Sequence, residues 1–194
     1  MADPTTFQFN LPRDRDWPRA PLSERTHDIA WAASGGCASL RGAPPAEAVR
    51  VMVIHATAGS STAGAVSVMK QGRASFHWIV PCKDEKEHGA YVWATCAERL
   101  AAWHVRRSCA HPDICAGATN LNRLSLGIEI VNRQDGSDFF SPWQIEATAE
   151  IVRYAAGKYP NLAHVVSHAR LDPDRRTDPG HNFPWTEFKA MVLD

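Results

Sequence analysis

The apolar residues of the chain fall into short runs that predict the strands of a sheet. The run "VRVMVIH" (49–55) is rich in β-branched side chains and is bounded by turn-forming residues, which indicates a buried strand. Four later runs predict strands in the same way: "SFHWIV" (75–80), "AYVWAT" (90–95), "SLGIEIVN" (125–132) and "AHVVSH" (163–168).

Helical periodicity is clearest in the segment "SPWQIEATAEIVRYAAGKYP". Ser141 and Gln144 have the spacing of a capping box, and Pro142 occupies the first helical position. Gly157 lies near the expected end of the helix. Apolar residues recur at spacings of four, three and four, and so form one stripe along the helix: Ile145, Ala149, Val152 and Ala156.

The order of the predicted elements indicates the fold class. Helices are also expected over 61–72, with Ser61 as N-cap, and over 184–193. Strands that alternate with helices predict a single α/β domain, with a central mixed β-sheet flanked by helices, over 48–194. Residues 1–47 are rich in Pro, Arg, Asp and Ala, and we expect an irregular N-terminal extension packed on that domain.

Composition narrows the choice of partners. The 194 residues carry a formal net charge of zero, which argues against nucleic-acid or membrane-surface partners because both favour a basic excess. No apolar run approaches the ~20 residues of a membrane span. The first residues lack the layout of a secretory signal, so we expect cytoplasmic synthesis. Composition leaves the oligomeric state open.

The five cysteines are an odd number, and no two are arranged as CxxC. Reduced, partly buried thiols are the first interpretation. One or two disulfides are the alternative, with Cys82–Cys96 and Cys109–Cys115 the closest pairs along the chain. The segment "CAHPDIC" could also form a second metal site, although its spacing is poor.

Two of the predicted strands end in histidine, at His55 and His168, and Asp178 follows on a charged loop. Ends of strands in α/β folds are where functional side chains gather. A lone buried histidine is more often structural, but two histidines and an aspartate form a three-ligand set for zinc (Zn²⁺). Such a set leaves a fourth position for water, as catalytic zinc sites do.

Glu129 lies inside the apolar strand "LGIEIVN". A buried carboxylate needs a partner, so a structural ion pair with an arginine is one interpretation. The functional interpretation is a general base that faces a metal-activated water.

Arg175 and Arg176 come shortly before Asp178, where a cation could stabilise an oxyanion; otherwise they are surface charge. In "AAWHV", His104 beside Trp103 suits the wall of a substrate pocket. His77, within a predicted strand, is interpreted as structural.

Taken together, these motifs resemble a known family. The segments "VIHATAG", "SFHWIV", "AAWHV", "NLNRLSLGIEIVN" and "SHARLDPDRRTDPGHNFPW" occur in the order found in zinc N-acetylmuramoyl-L-alanine amidases of the second type. That group includes phage lysozyme-type endolysins, muropeptide-recycling enzymes and peptidoglycan recognition proteins. The resemblance covers roughly residues 48–190 and leaves out the N-terminal extension.

The resemblance implies zinc held by His55, His168 and Asp178, with Glu129 as the base. It places the oxyanion-stabilising cation at Arg176, where the family commonly has lysine. Arginine keeps the charge but cannot donate a proton. Phe76 stands where phage relatives tend to carry tyrosine.

The implied reaction is hydrolysis of the amide between N-acetylmuramic acid and L-alanine in peptidoglycan or muropeptides, with Trp103 and His104 near the substrate. The alternatives are a non-catalytic peptidoglycan-binding module and a zinc peptidase of similar geometry. A phage endolysin, a recycling enzyme and a secreted effector all fit the chain, and the last would act on the cell wall after release.

Overall fold

The computed structural model describes residues 2–27 and 37–194. Short 3₁₀ turns lie at Pro4–Thr6, Cys115–Gly117 and Leu121–Arg123. The α-helices are α1 (Pro45–Ala48), α2 (Thr62–Lys70), α3 (Pro142–Lys158), α4 (His168–Leu171) and α5 (Trp185–Leu193). The strands are β1 (Gln8–Asn10), β2 (Glu24–Thr26), β3 (Ala38–Leu40), β4 (Val51–Ala56), β5 (Trp78–Val80), β6 (Val92–Ala94), β7 (Leu100–Ala102), β8 (Ser125–Ile130) and β9 (His164–Ser167).

The centre of the fold is a mixed seven-stranded sheet in the order β1-β9-β4-β8-β5-β6-β2. The four central strands β9, β4, β8 and β5 are parallel to one another, whereas β1 and β6 pair antiparallel with their neighbours β9 and β5. Strands β3 and β7 form a separate two-stranded sheet. The predicted α/β class with a mixed central sheet is therefore confirmed.

The two faces of the sheet carry different side chains because residues alternate along a strand. In β8, Leu126, Ile128 and Ile130 point into the largest hydrophobic cluster, which also contains the apolar stripe of α3 and part of α5. The intervening positions of β8 are Ser125, Gly127 and Glu129, and they lie on the other face. The polar side chains of β8 therefore lie on the face of the sheet that is opposite α3 and α5.

Helix α3 begins as its sequence predicts. The Ser141 hydroxyl accepts from the Gln144 backbone N–H, and the Gln144 side chain accepts from the Ser141 N–H, so both halves of the capping box form. Ser61 likewise caps α2 by accepting from the Gly64 N–H. These local signals place the helices with little dependence on the rest of the fold.

The described part of the N-terminal extension is more ordered than the sequence suggests. Its strands β1 and β2 lie at the two opposite edges of the main sheet, and Phe7, Phe9 and Leu11 are buried in the main core. Between the two strands the chain crosses α3, where a Cβ at Gly157 would come within 2.7 Å of the Pro18 carbonyl oxygen. Residues 28–36 of the extension lie outside the described residues.

Most of the predicted strands are shorter in the structure than their apolar runs. Residues 75–77 and 90–91 precede β5 and β6 rather than belonging to them. All five cysteines are free thiols, in agreement with the reduced interpretation and without either proposed disulfide. Within residues 2–27 and 37–194, no helix combines the length and apolar character that a bilayer crossing requires.

Candidate metal centre

Strands β4 and β8 bring His55 and Glu129 side by side. The two strands are parallel, and His55 is paired with Glu129 in their register. Both residues therefore leave the sheet on the same face, one position from the carboxyl end of each strand. Both are almost completely buried.

His168 also lies beside His55, but it does not end a strand as the sequence predicts. It is the first residue of α4 and not the end of a strand, because β9 stops at Ser167, whose hydroxyl caps α4 by accepting from the Arg170 N–H. Ser167 is paired with Ile54 of β4, so the next residue lies beside His55. The strand-to-helix junction fixes its position.

Asp178 is held against α4 by the backbone. Its carbonyl oxygen accepts from the Ala169 N–H at 3.0 Å. The loop that precedes it is tied to Asp172, whose carbonyl oxygen accepts from the N–H groups of Arg175 and Arg176 at 3.1 and 2.9 Å. The Asp172 carboxylate is buried and forms ion pairs with Arg106 and Arg175.

The three predicted ligands converge on one point. His55 Nδ1, His168 Nδ1 and Asp178 Oδ2 form a triangle with sides of 3.0, 3.0 and 3.1 Å. Ligand atoms of a tetrahedral zinc ion at ~2.0–2.1 Å would lie about 3.3 Å from one another. Among the described residues, this is the one group of histidine, cysteine or acidic side chains able to hold a metal ion.

The chemistry of this donor set fits zinc. Two imidazole nitrogens and one carboxylate oxygen are zinc's usual ligands, and three protein ligands leave a fourth position open. His168 Nε2 is buried without a hydrogen-bond partner. Segment 109–115, suggested as a second metal site, contributes no such cluster.

Burial and close contacts shift the pKa values of His55 and Asp178. Burial, together with the nearby His168, lowers the pKa of His55 to about 4, so its imidazole is neutral near pH 7. Burial alone would raise the pKa of Asp178, but the adjacent His168 and His55 rings outweigh it and lower the pKa. A neutral imidazole and an ionised carboxylate are the forms that bind metals.

Glu129 lies next to this triangle with a free acceptor. Its Oε2 is buried and has no hydrogen-bond partner, and no described cation is within ion-pair distance. Burial, and then the neighbouring Asp178, raise the pKa of Glu129 well above its ordinary value, while Arg176 opposes the shift. Among the described residues Glu129 forms no ion pair with an arginine, so the alternative interpretation as a structural ion pair is wrong.

The two arginines differ in their surroundings. The Arg175 guanidinium forms an ion pair with Asp172 at 3.4 Å. Both arginines line the cavity above the triangle, but the exposed Arg176 has no carboxylate within ion-pair distance among the described residues. Arg176 is therefore the arginine whose charge is available to a bound molecule.

His104 and Trp103 line different cavities, and His104 lines the one over the metal centre. The His104 ring is 5% exposed, and its Nδ1 and Nε2 contact His55 Nε2 at 2.9 Å and Ser125 Oγ at 3.1 Å. Both nitrogens are thus engaged inside the protein. Trp103 is 43% exposed and lines a separate cavity with Arg107 and Arg123. A role for Trp103 in substrate binding stays a prediction.

The cavity over the metal centre measures about 750 Å³ and is lined by all three predicted ligands and by Glu129. A second cavity of about 310 Å³ adjoins it, since Gln134, Arg176 and Thr177 line both. The sequence analysis did not identify two residues of the site: Gln134, which lines both cavities, and Ser125, which contacts His104. The strand pattern could have indicated Ser125, because it falls in phase with Glu129 on β8.

Comparison with known proteins places this geometry in a family. A family model described as N-acetylmuramoyl-L-alanine amidase matches residues 45–181. The N-acetylmuramoyl-L-alanine amidase AmiD of Escherichia coli K12 is 32% identical over 154 residues, which cover 75% of this chain and 54% of AmiD. The 1,6-anhydro-N-acetylmuramyl-L-alanine amidase AmpD of Enterobacter cloacae is 32% identical over 94 residues, covering 47% of this chain and 46% of AmpD.

The fold is also similar to solved structures. The crystal structure of AmpDh3 from Pseudomonas aeruginosa has a TM-score of 0.65 and 29% sequence identity, and the match covers 76% of this chain and 61% of that one. The chain spans about half the length of the curated relatives it matches.

Proposed function

Because the chain belongs to the N-acetylmuramoyl-L-alanine amidase family, we propose that it hydrolyses the amide between N-acetylmuramic acid and L-alanine. The observation that carries the proposal is a buried, unpartnered Glu129 carboxylate beside a triangle of three metal-ligand atoms, at the floor of an open cavity. A binding module would need neither the ligands nor the buried acid.

His55, His168 and Asp178 would hold the zinc ion. When bound, zinc supplies Lewis-acid polarisation of the scissile carbonyl and of a water molecule. The three side chains are held by a strand, a helix start and a braced loop, so they need little rearrangement to bind the ion.

Glu129 would move the proton. In its ionised form it accepts a proton from the attacking water, and its raised pKa lets it hold that proton in the buried site. It then gives the proton to the nitrogen of L-alanine as the carbon–nitrogen bond breaks. The products are a lactyl carboxylate on the sugar and a peptide with a free amine.

Arg176 would stabilise the negative charge that develops on the carbonyl oxygen. A guanidinium has a pKa too high for it to donate a proton to the leaving group. Glu129 therefore has to serve as both acceptor and donor in this chain. This division of roles follows from arginine in place of the family's usual lysine.

Anhydro-muropeptides are the first substrates to test. A solved structure of E. coli AmiD contains anhydro-N-acetylmuramic acid-L-Ala-D-γ-Glu-L-Lys, and one of AmpDh3 contains an anhydromuramic pentapeptide. The main cavity, with the adjoining one, offers this chain room for a sugar and the first residues of a stem peptide.

The experiment is a digest of soluble anhydro-muropeptide and of intact peptidoglycan by the zinc-loaded protein, followed by mass spectrometry. We expect release of a peptide that begins with L-alanine. Cleavage at another bond would favour a zinc peptidase, and binding without any cleavage would favour a recognition module. Either result would overturn the proposal.

A further inference from the structure

A chain of hydrogen bonds runs behind the metal centre, from a backbone carbonyl to His55. The Ser125 hydroxyl lies 2.7 Å from the Leu121 carbonyl oxygen, and His104 Nε2 lies 3.1 Å from the same hydroxyl. At its other end, His104 Nδ1 lies 2.9 Å from His55 Nε2. The participating side chains are all buried.

The direction of each hydrogen bond follows from the first one. Two oxygens 2.7 Å apart need a proton between them, and the Leu121 carbonyl has none, so the Ser125 hydroxyl is the donor. The Ser125 oxygen must then accept from His104, which puts a proton on His104 Nε2.

His104 must in turn accept at Nδ1. If it donated there as well, it would be a buried cation, and none of the described acidic side chains is within ion-pair distance of it. Burying an uncompensated charge is costly. The neutral alternative leaves a lone pair on His104 Nδ1, and the proton between the two rings then belongs to His55 Nε2.

We propose that His104 and Ser125 are positioning residues that set the tautomer of His55, so that its Nδ1 lone pair faces the metal. The inference rests on the zinc site of the proposed function. The proton on His55 Nε2 leaves Nδ1 unprotonated at the corner of the triangle that it shares with His168 Nδ1 and Asp178 Oδ2.

The sheet itself makes room for this arrangement. A Cβ at Gly127 would lie 2.8 Å from both Cγ and Nδ1 of His104, so only glycine lets the ring lie over β8 between Ser125 and His55. The second histidine ligand lacks such support. His168 Nε2 is buried with no acceptor, so among the described residues no contact holds a proton on that nitrogen, away from the triangle.

The direct test needs no variant. In metal-free protein labelled with ¹⁵N at histidine, two-bond ¹H–¹⁵N spectra report which ring nitrogen carries the proton. We expect both His55 and His104 to carry it on Nε2. A proton on His55 Nδ1 in the metal-free protein would overturn the proposal.

Variants test the consequence for metal binding, measured as zinc affinity by chelator competition. His104→Leu removes the acceptor at similar volume, and we expect zinc binding about 10–100-fold weaker, as for other partners of metal-bound histidines. His104→Asn keeps an acceptor near Nδ1 and should retain most of the affinity. Equal affinity of His104→Leu and the parent would contradict the inference.

Ser125→Ala should also weaken zinc binding, because His104 is then free to adopt the other tautomer. Thr148→Val is the matched control, since Thr148 is equally buried and also donates at 2.7 Å to a carbonyl four residues earlier, that of Gln144. It should leave zinc affinity unchanged; an equal loss in both variants would make the effect one of general stability. These readouts are independent of amide cleavage, so a parent protein that binds zinc as expected but leaves muropeptides intact would refute the proposed function alone.

Discussion

Two clusters of buried polar groups, one around His77 and one around His55 and His168, lie close together beside the same sheet. They differ in the partners of their ring nitrogens. His77 accepts from the Gly127 N–H at 3.0 Å and lies 3.1 Å from the Leu100 carbonyl oxygen, with Arg41 also at hydrogen-bond distance. At the metal centre, His55 and His168 instead face each other and Asp178, and two atoms nearby have no partner.

The difference shows that burial alone does not identify a functional histidine. Burial lowers the pKa of both His77, to about 3, and His55, to about 4. The two histidines differ in their partners. Backbone groups of β8 and β7 bond the two ring nitrogens of His77, so His77 links these two strands. The nitrogens of the metal centre point at one another, an arrangement that gains stability only when a cation or proton lies between them.

Removal of the metal should have the largest effect. Chelation is expected to reduce amide cleavage to background, because His55, His168 and Asp178 alone cannot polarise the carbonyl. Release of free amine from muropeptide measures the loss, and adding zinc back should restore it. Undiminished cleavage by verified metal-free protein would contradict a metal-dependent role for the cluster around His55 and His168.

Replacing Glu129 by Gln should lower kcat/KM by about 10²–10⁴-fold, because the site loses its proton acceptor. Zinc affinity should stay near that of the parent, since Glu129 is not among the ligands. Glu150→Gln, an exposed change on α3, is the control and should cleave normally. Activity of Glu129→Gln close to the parent would remove Glu129 from the proposed mechanism.

The neighbouring arginines offer a matched pair. Arg176→Ala should lower kcat by about 10²-fold, at the lower end of the effect of removing one oxyanion donor, because Arg176 is exposed. Arg175→Ala should cost much less, since its charge is already paired with Asp172. Steady-state kinetics on one muropeptide would compare them, and the reverse order would assign the role to Arg175.

The smallest effects concern stability, and they should have opposite signs in the two clusters. His77→Leu leaves Gly127 N–H and the Leu100 carbonyl without a partner and should destabilise the fold by about 1–3 kcal/mol. Glu129→Gln should stabilise the metal-free protein by a similar amount near pH 7. Denaturant unfolding of metal-free protein measures both.

The gain from Glu129→Gln should depend on pH. The folded-state pKa of Glu129 is raised, so the ionised form opposes folding, and stability is lost as pH rises above the ordinary value of 4.5. The difference between variant and parent should therefore shrink as pH falls towards 4.5 and stay small below it. A difference independent of pH would mean that Glu129 is not destabilised by burial.

The local elements of this protein follow from its sequence. The capping box at Ser141 and Gln144 and the cap at Ser61 form as their spacing predicts, because each depends on residues within one helical turn. The apolar runs predict the central strands, though His168 proved to start a helix rather than end a strand. The family resemblance is confirmed by the match over residues 45–181.

Only the tertiary structure decided which of these residues meet. The parallel register that pairs His55 with Glu129 joins residues 74 positions apart, and no local periodicity encodes it. The same holds for β1 and β2. They lie at opposite edges of the sheet, although their sequence predicts irregular structure. Three-residue strands carry too little signal of their own, and it is pairing with a preformed neighbour that stabilises them.

His104 illustrates the limit most clearly. Its sequence context beside Trp103 suggests a pocket wall, and His104 does line the cavity over the metal centre. The sequence does not show that its ring also bonds Ser125 and His55 across the space left by Gly127. The sequence by itself determined the kinds of side chain available for the chemistry and the local elements that carry them. The packing of distant strands decided which nitrogen faces which, because hydrogen-bond direction depends on partners brought together only in the folded state.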